Sequence, residues 1–314
     1  MQKQSAAATS MPQPSTRRVL FWRNTLTAWL FLAPTFVLLF LFSYYPAVSA
    51  LYHSLTNWTG LYPAEDFLLL ENFQELISDR TVRASMNNMA IVMVWSLFSS
   101  VIPALLVAVM IDSLRSGRAQ YWYRLLFVAP IVVPLVVTLN VWSFIYDPDI
   151  GLVKTIFDAN GWKLQTRMLG DPKYAIFFLV AIGFPWVSGV NVLIFLAGLQ
   201  AIDQEIRDSA ELDGATGFRR FLYIDLPLLL GQIKLIGILA VINGIQGFHA
   251  QFILTRGGPG YATMVPGMWM YIQGYNYYRM GYSSAIGSVM FILILILSMF
   301  ILQRFRSPAE YVAD

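Results

Sequence analysis

Residues 88–111 read NMAIVMVWSLFSSVIPALLVAVMI, without a single Asp, Glu, Lys or Arg. About 20 apolar residues in an α-helix cross the hydrocarbon core of a bilayer, which is about 30 Å thick. The whole chain shares this character, because 57% of its 314 residues are hydrophobic and only 12% are charged, against about 25% in an ordinary soluble domain. The sequence therefore predicts a membrane protein with a spanning helix at this position.

Five further segments meet the same criterion, so the predicted fold class is an all-α membrane protein with six transmembrane helices. The predicted spans cover residues 25–50, 88–111, 124–146, 174–199, 233–254 and 283–303. They make up a predicted transmembrane domain, 25–305, between a polar tail, 1–24, expected to be disordered, and a second tail, 306–314. We refer to residues 202–227, between the fourth and fifth spans, as the connecting segment. Two short loop helices are also predicted, at FQELISD (73–79) and TIFDANG (155–161).

Lysine and arginine are unevenly distributed over the two predicted sides of the membrane. The side that carries both termini and the connecting segment holds thirteen of them: Lys3, Arg17, Arg18, Arg23, Arg115, Arg118, Arg124, Arg207, Arg219, Arg220, Lys234, Arg304 and Arg306. The other side holds eight: Arg80, Arg83, Lys154, Lys163, Arg167, Lys173, Arg256 and Arg279. By the positive-inside rule, both termini and the connecting segment are predicted to be cytoplasmic.

The composition argues against several classes of function. Cysteine is absent, which excludes disulfides and thiolate sites, and His53 and His249 lie too far apart in the sequence to indicate a metal site. No basic stripe with interleaved aromatic residues occurs, so no nucleic-acid partner is expected. The chain also has no phosphate-binding loop that ends in Gly-Lys-Ser or Gly-Lys-Thr, so it is not expected to hydrolyse ATP itself.

Three alternatives concern the membrane segments. An ion-coupled secondary transporter would be expected to carry charges within its spans, and an intramembrane enzyme would need clustered catalytic His, Asp or Glu there; the predicted spans show neither, apart from Lys234 near one end of the fifth. Residues 1–50 would also fit a signal peptide that is cleaved after AVSA (47–50), but their apolar run is longer than such peptides usually have.

The connecting segment is rich in charge although apolar runs flank it on both sides. Asp203 is a suitable N-cap for a helix that Gly214 or Gly217 would end. On that helix Ile202, Ile206, Ala210 and Gly214 recur every four residues and are predicted to share one face, whereas Arg207, Asp208 and Glu211 point elsewhere. The helical stretch FRRFLYIDLP (218–227) follows, and Pro227 is predicted to interrupt the path into the fifth span. An ordinary solvated loop is the alternative explanation for the charges.

The spacing within this segment resembles the signature of permeases of bacterial ABC importers. That signature is Glu-Ala-Ala, three residues, Gly, nine residues, Ile, one residue and Leu-Pro. The matching positions are Asp208, Ser209, Ala210, Gly214, Ile224, Leu226 and Pro227. Asp replaces Glu and Ser replaces Ala, so the acidic and small characters are kept.

The resemblance extends over about residues 28–305 and is to the carbohydrate-importer group (maltose and glycerol-phosphate type), in particular its first permease half. Supporting segments include APTFVLLFLFSYYPAVSALYHSLTNW (33–58), ENFQELI (71–77), FHAQFILTRGGPGYAT (248–263) and GYSSAIG (281–287). Such a chain would be a subunit in a bacterial inner membrane, not an enzyme, importing a sugar, oligosaccharide or polyol.

The resemblance also implies partners and a role for the connecting segment. The partners are a second homologous permease, two cytoplasmic ATPase subunits that bind the ATP and Mg, an extracytoplasmic solute-binding protein and membrane lipid. The chain itself would bind no cofactor. The helix within 202–217 would be a coupling helix that docks into an ATPase subunit. The residues of the connecting segment implied to take part in this coupling are Asp208, Ser209, Ala210, Asp213, Gly214, Ala215, Ile224, Leu226 and Pro227.

Polar and aromatic residues within the spans are candidates for a sugar path, because sugar hydroxyls bind amides and sugar rings stack on aromatic side chains. The candidates are Asn140 and Trp142 in the third span, Trp186, Ser188 and Asn191 in the fourth, and Asn243, Gln246, His249 and Gln251 in the fifth. Each could instead make a helix–helix hydrogen bond or be an interfacial aromatic residue. TRGGPGYAT (255–263) is predicted to form a turn that could touch substrate or the binding protein.

Overall fold

The computed structural model describes residues 14–62, 66–162 and 167–304. Their secondary structure is helical apart from turns and one isolated bridge between Thr56 and Phe67. The predicted all-α class is therefore confirmed for these ranges. The chain divides into two compact units, Met1–Tyr52 and His53–Asp314. The predicted tail 306–314 lies outside the described residues.

The first unit consists of consecutive helical segments, the last of which ends at His53, the first residue of the second unit. α1 spans Pro14–Leu39, a π-helical turn follows at Phe40–Tyr44, and α2 spans Tyr45–His53. The portion Thr27–His53 is long and apolar enough to cross a membrane, which confirms a helix at the predicted first span. α1 begins within residues 1–24, which are predicted to be disordered. Its first residue is Pro14, and proline is well suited to the first position of a helix. Residues 1–13 of that tail are not among those described.

The second unit contains the remaining helices. Their bounds are α3 Glu71–Ser78, α4 Arg80–Asp112, α5 Gly117–Val128, α6 Leu135–Ile145, α7 Leu152–Ala159, α8 Ala175–Ala181, α9 Gly189–Gln200, α10 Gln204–Leu212, α11 Gly217–Arg220, α12 Leu226–Leu228, α13 Leu230–Gln246, α14 Pro266–Tyr271 and α15 Met280–Arg304. α3 and α7 are the two short helices predicted in loops. Arg80–Asp112, Leu230–Thr255 and Met280–Arg304 are each long and apolar enough to cross a membrane, and they lie at the predicted second, fifth and sixth spans.

The predicted third and fourth spans are not single straight helices. Gly117–Val132 and Leu135–Ile145 are bent by 89° relative to each other, and Pro134 lies at the break, where it cannot donate a helical hydrogen bond. The predicted span 174–199 is divided into α8 and α9, of 7 and 12 residues, each too short to cross a bilayer. Between them Gly183 has a φ of 84°, which a helix cannot contain. The described residues thus show four or five candidate membrane-crossing helices rather than six.

α4 packs along α9 and α13 through small residues. Ala104 and Ala108 of α4 are fully buried, in a core that includes Phe195 of α9. Gly244 of α13 approaches α4 so closely that a Cβ at this position would lie 2.7 Å from the Cα of Met93. Small residues are typical of helix crossings in membrane proteins, because van der Waals contact between closely approaching helices is a main source of their association.

Asp79 ties the N-terminal end of α4 to α14 and α15. Its Oδ1 accepts a hydrogen bond from the N–H of Thr81 at 2.7 Å, and its Oδ2 accepts one from Trp269 Nε1 at 3.0 Å and one from the Tyr282 hydroxyl at 2.9 Å. Burial alone would raise the pKa of Asp79, but the hydrogen bonds from Tyr282, Trp269 and the helix N-terminus outweigh it and lower the pKa. The carboxylate therefore stabilises the fold above its ordinary pKa, and this contribution is lost as the pH falls through the lowered value.

Candidate functional site

The connecting segment folds as short helices at one end of α4. α10 follows Asp203 as predicted, although the Asp203 side chain makes no capping hydrogen bond. Gly214, with a φ of 76°, lies just after the helix, in a conformation that residues with a Cβ seldom adopt. From α11 the chain stays helical to Leu228. The predicted interruption at Pro227 therefore falls two residues later, at Leu229, whose φ of −84° and ψ of 2° lie outside the helical range.

The signature positions differ in burial. Asp208, Ser209, Asp213 and Gly214 are exposed, Ala215, Ile224, Leu226 and Pro227 are half-buried, and Ala210 is buried. The Asp208 carboxylate accepts one hydrogen bond, from the Gln204 side chain at 2.7 Å. It therefore retains capacity to accept hydrogen bonds from a partner.

The connecting segment exposes apolar surface. Its exposed large apolar side chains include Ile206, Leu212, Phe218 and Tyr223. Leu212 is 90% exposed and Phe218 is 73% exposed, and exposed apolar groups that cluster mark interaction sites more often than single ones do. The shared apolar face predicted for α10 is confirmed only in part, because Ala210 is buried whereas Ile206 is 41% exposed.

Two arginines contact acidic groups around the connecting segment. Arg207 forms an ion pair with Asp112 at 3.0 Å and donates a hydrogen bond to the carbonyl of Leu199. Arg220 lies 3.4 Å from a carboxylate oxygen of Asp225 and 3.4 Å from one of Glu211. The Arg207 side chain therefore reaches from α10 to the ends of α4 and α9.

A cavity of about 310 Å³, which we call the aromatic cavity, lies between α4, α6, α8 and the residues that follow α13. Three of the predicted path residues line it: Trp186, His249 and Gln251. The Trp186 ring meets the ring of Trp95 edge-on, with centroids 4.8 Å apart, and its Nε1 donates to the carbonyl of Ala181 at 3.2 Å. The structure thus brings predicted residues of the fourth and fifth spans to one space.

Trp95, Ser96 and Ser99 of α4 also line the aromatic cavity, and the prediction did not include them. They lie within the long uncharged run 88–111, where serine is unremarkable. The sequence signal that could have identified them is the four-residue spacing of Trp95 and Ser99, which places a tryptophan and a hydroxyl on one face of the helix. The Ser96 hydroxyl donates to the carbonyl of Ala240 at 3.0 Å, and that of Ser99 donates to the carbonyl of Ser96 at 3.3 Å.

Two predicted path residues of the fourth span make contacts within the bundle, and nothing in the structure tests their role on the path. The Asn191 side chain donates from Nδ2 to the carbonyl of Ser100 on α4 at 3.0 Å. Ser188 caps α9, because its hydroxyl accepts from the N–H of Asn191. These contacts are the helix–helix hydrogen bond and the capping bond that polar residues in spans commonly make.

The remaining predicted path residues lie outside the aromatic cavity. Trp142 is half-buried and packs against the ring of Tyr146, with centroids 5.3 Å apart. Asn140, Asn243 and Gln246 are exposed. A role for these residues on the sugar path remains a prediction.

Residues 255–263 form the predicted turn. Arg256 and Gly257 have φ values of 50° and 80°, and the hydroxyls of Thr255 and Thr263 share a hydrogen bond of 2.7 Å. Asn88 of α4 donates to the carbonyls of Tyr261 at 3.1 Å and Met264 at 2.9 Å. The turn is therefore held against the same helix that lines the aromatic cavity.

Comparison with known proteins reveals relatives over almost the whole chain. It is 30% identical over 294 residues to the probable ABC transporter permease protein YurN of Bacillus subtilis, covering 92% of this chain and 99% of YurN. It is 28% identical over 283 residues to the multiple sugar-binding transport system permease protein MsmF of Streptococcus mutans, covering 90% and 95%.

A solved structure has a similar fold. It is a bacterial alginate ABC transporter in complex with an alginate pentasaccharide-bound periplasmic protein, and one of its chains matches with a TM-score of 0.74 at 20% identity, covering 89% of this chain and 95% of that one. Residues 100–309 match the family described as "Binding-protein-dependent transport system inner membrane component". This match and the relatives above show that the chain belongs to the family of inner membrane components of binding-protein-dependent transport systems.

Proposed function

We propose that the chain is one of two homologous permease subunits of an ATP-driven importer for a sugar, oligosaccharide or polyol, and that α10 is its coupling helix. The observation that carries this proposal is the exposed surface of the connecting segment, where the exposed Asp208 lies one helical turn before Leu212, which is 90% exposed. A partner subunit would remove that apolar surface from water. As a membrane component of a transport system, the chain is a transport subunit and not an enzyme.

The proposed membrane arrangement has six spans within 25–305. The bent pair α5–α6 and the divided pair α8–α9 would be broken third and fourth spans, which membrane proteins tolerate where the broken backbone lines a cavity. The distribution of basic residues supports cytoplasmic termini and a cytoplasmic connecting segment. From Ser99 to Asp112, α4 then runs about 20 Å from the aromatic cavity to the cytoplasmic face.

The aromatic cavity is proposed as part of the substrate path. Trp95 and Trp186 offer ring faces and edges, and His249, Gln251 and Ser99 offer hydrogen-bonding groups. Such a mixture suits a carbohydrate, because its hydroxyls need polar partners and its C–H faces pack on aromatic rings. The names of the relatives, a sugar-binding system permease and an alginate transporter, support the same class.

The proposed partners are a second permease, two ATPase subunits and a solute-binding protein. ATP and Mg would bind to the ATPase subunits, so this chain contributes no cofactor ligands. The alginate transporter was solved with a periplasmic protein, which supports a binding-protein partner for this chain. Residues 255–263, at the far end of α4 from the connecting segment, are proposed to face that partner or the substrate it delivers.

Replacing Asp208 with lysine is expected to weaken the association of the ATPase subunits about tenfold or more. The change removes a charge-assisted hydrogen bond to a basic side chain of the ATPase and introduces repulsion, and such bonds contribute about 1.5–3 kcal/mol. The measurement is the amount of ATPase subunit that co-purifies with the permease pair at matched expression. Asp149→Lys, at an exposed position in the loop after α6, is the control. Equal recovery from Asp208→Lys and parent would contradict the proposed docking.

Replacing His249 with alanine is expected to raise the KM for ATP-driven uptake of labelled neutral oligosaccharides about three- to tenfold. The reason is the loss of one hydrogen-bonding group from the aromatic cavity, typically about 1 kcal/mol. Asn243→Ala, at an exposed position outside the cavity, is the comparison. A larger effect of Asn243→Ala than of His249→Ala would contradict the cavity as the path and indicate that substrate passes along the exposed face of α13.

A further inference from the structure

Arg207 connects three helices at the end of the bundle that carries the connecting segment. From α10 its guanidinium reaches Asp112, the last residue of α4, at 3.0 Å, and it also donates to the carbonyl of Leu199 near the end of α9. Both charged side chains are only 14% exposed. An ion pair shielded from water and supported by a backbone hydrogen bond holds its geometry better than an exposed pair does.

Arg220 makes a second connection. It lies between Glu211, close to the end of α10, and Asp225, just before α12 and α13. Asp225 is 4% exposed, and its Oδ1 has no hydrogen-bond partner among the residues described. Because a buried carboxylate needs a compensating charge, Arg220 is held in the helical stretch that precedes the fifth span while it still reaches α10.

Side-chain packing does not fill this junction. A cavity of about 300 Å³ lies between the connecting segment and the end of α4, lined by Leu106, Val109 and Phe221 together with both aspartates of the ion pairs. No residue of α10 lines this cavity, which separates the start of α11 and the residues after it from α4. Beside such a gap, close packing passes a displacement of the connecting segment to α4 less completely. The ion-pair residues Asp112, Arg220 and Asp225 lie at the edge of this gap, and each pair uses the rigid, planar fork of an arginine side chain.

We propose that Arg207 and Arg220 are positioning residues that transmit a movement of α10 to the spans. Arg207 passes the movement to α4 and α9, and Arg220, through its pair with Glu211, passes it to the helical stretch that leads into α13. The inference rests on the proposed function, because it requires an ATPase to move α10. Since α4 and the residues after α13 line the aromatic cavity, both arginines lie on routes from the docking surface to the proposed substrate path.

The test measures whether the nucleotide state of the ATPases reaches the aromatic cavity. The chain contains no cysteine, so Ser99→Cys places a single thiol in it, at the cavity. In the complete complex in nanodiscs, the labelling rate of this subunit by a fluorescent maleimide is measured without nucleotide and with Mg-ATP plus orthovanadate. The parent reporter is expected to change its labelling rate about fivefold between the two states, at the low end of typical coupling between sites.

Two double variants of the reporter remove the ion pairs without leaving a buried charge unpaired. They are Arg207→Met with Asp112→Asn, and Arg220→Met with Asp225→Asn. In each, the nucleotide-dependent change is expected to fall below about twofold, while the complex still hydrolyses Mg-ATP. Lys154→Met with Asp158→Asn removes an ion pair of α7 and is expected to keep the change seen in the parent.

The outcomes distinguish the role of the two arginines from the proposed function. Double variants that keep the full nucleotide-dependent change would overturn the role of the arginines and leave the proposed function intact. A parent reporter that does not respond to nucleotide would overturn the proposed function and this inference with it. Arg207→Lys keeps the charge but not the planar fork, so it tests the role of Arg207 even if the double variants assemble poorly. It is expected to give a reduced change at normal yield, and a change equal to that of the parent would count against Arg207.

Discussion

Replacing Leu212 with aspartate is expected to release the ATPase subunits from the complex. Leu212 is the most exposed large apolar side chain of α10, so in the chain alone its substitution removes little packing. Burial of a leucine side chain against a partner contributes about 2–3 kcal/mol, and an aspartate would additionally bring an unpaired charge into that interface. Together these effects correspond to at least about a 100-fold loss of affinity.

The Leu212 prediction is measured by co-purification of the ATPase subunits and by Mg-ATP hydrolysis of the reconstituted complex. Leu61→Asp is the matched control, because Leu61 is also exposed but belongs to the loop between α2 and α3. This variant is expected to retain its ATPase subunits. If Leu212→Asp retained them equally well, the docking surface would have to lie elsewhere on the connecting segment.

Replacing Gly244 with valine is expected to destabilise the bundle by about 3 kcal/mol, the upper end of typical overpacking costs. A Cβ at this position would lie 2.7 Å from the Cα of Met93 and 3.2 Å from the Cβ of Ser96. The nearest atom belongs to backbone, so α13 and α4 would have to separate. The separation would also strain the hydrogen bond from Ser96 to the carbonyl of Ala240. Ser96 lines the aromatic cavity, so we expect impaired transport as well.

The same helix supplies the control for Gly244. Gly237 has no atom within 4 Å of its would-be Cβ, so Gly237→Val places its Cβ in open space. A thermal unfolding scan of the purified protein, followed by tryptophan fluorescence, is expected to show a decrease of roughly 5 °C or more for Gly244→Val. Gly237→Val is expected to unfold close to the parent temperature. Equal behaviour of the two variants would show that α4 and α13 are not in such close contact.

The sequence predicted the first, second, fifth and sixth spans because each is a long apolar run that must satisfy its backbone hydrogen bonds as helix in a bilayer. It did not predict the shapes of the third and fourth. Their hydropathy is as high, but Pro134 and Gly183 act on the backbone rather than on hydropathy. A hydropathy criterion therefore detects such segments and misses their breaks.

The residues proposed to couple the chain to the ATPase divide in a similar way. Asp208 and Gly214 belong to a local pattern, and local spacing on a short helix can be read from sequence. The partners of Arg207 and Arg220 could not be read in this way. Arg207 meets an aspartate that lies far away in the chain, and basic residues in a loop are equally well explained by membrane sidedness.

By itself, the sequence determined that this is a helical membrane protein with a charged, helical connecting segment and no cysteine chemistry, because composition and local spacing are properties of short stretches. Only the tertiary structure decided that Trp95 and Ser99 share a cavity with Trp186 and His249. It alone showed which predicted polar residues cap or join helices. The rotation and crossing of the helices depend on close contacts such as that of Gly244 with α4. These contacts join residues far apart in the chain, so no local periodicity in the sequence reveals them.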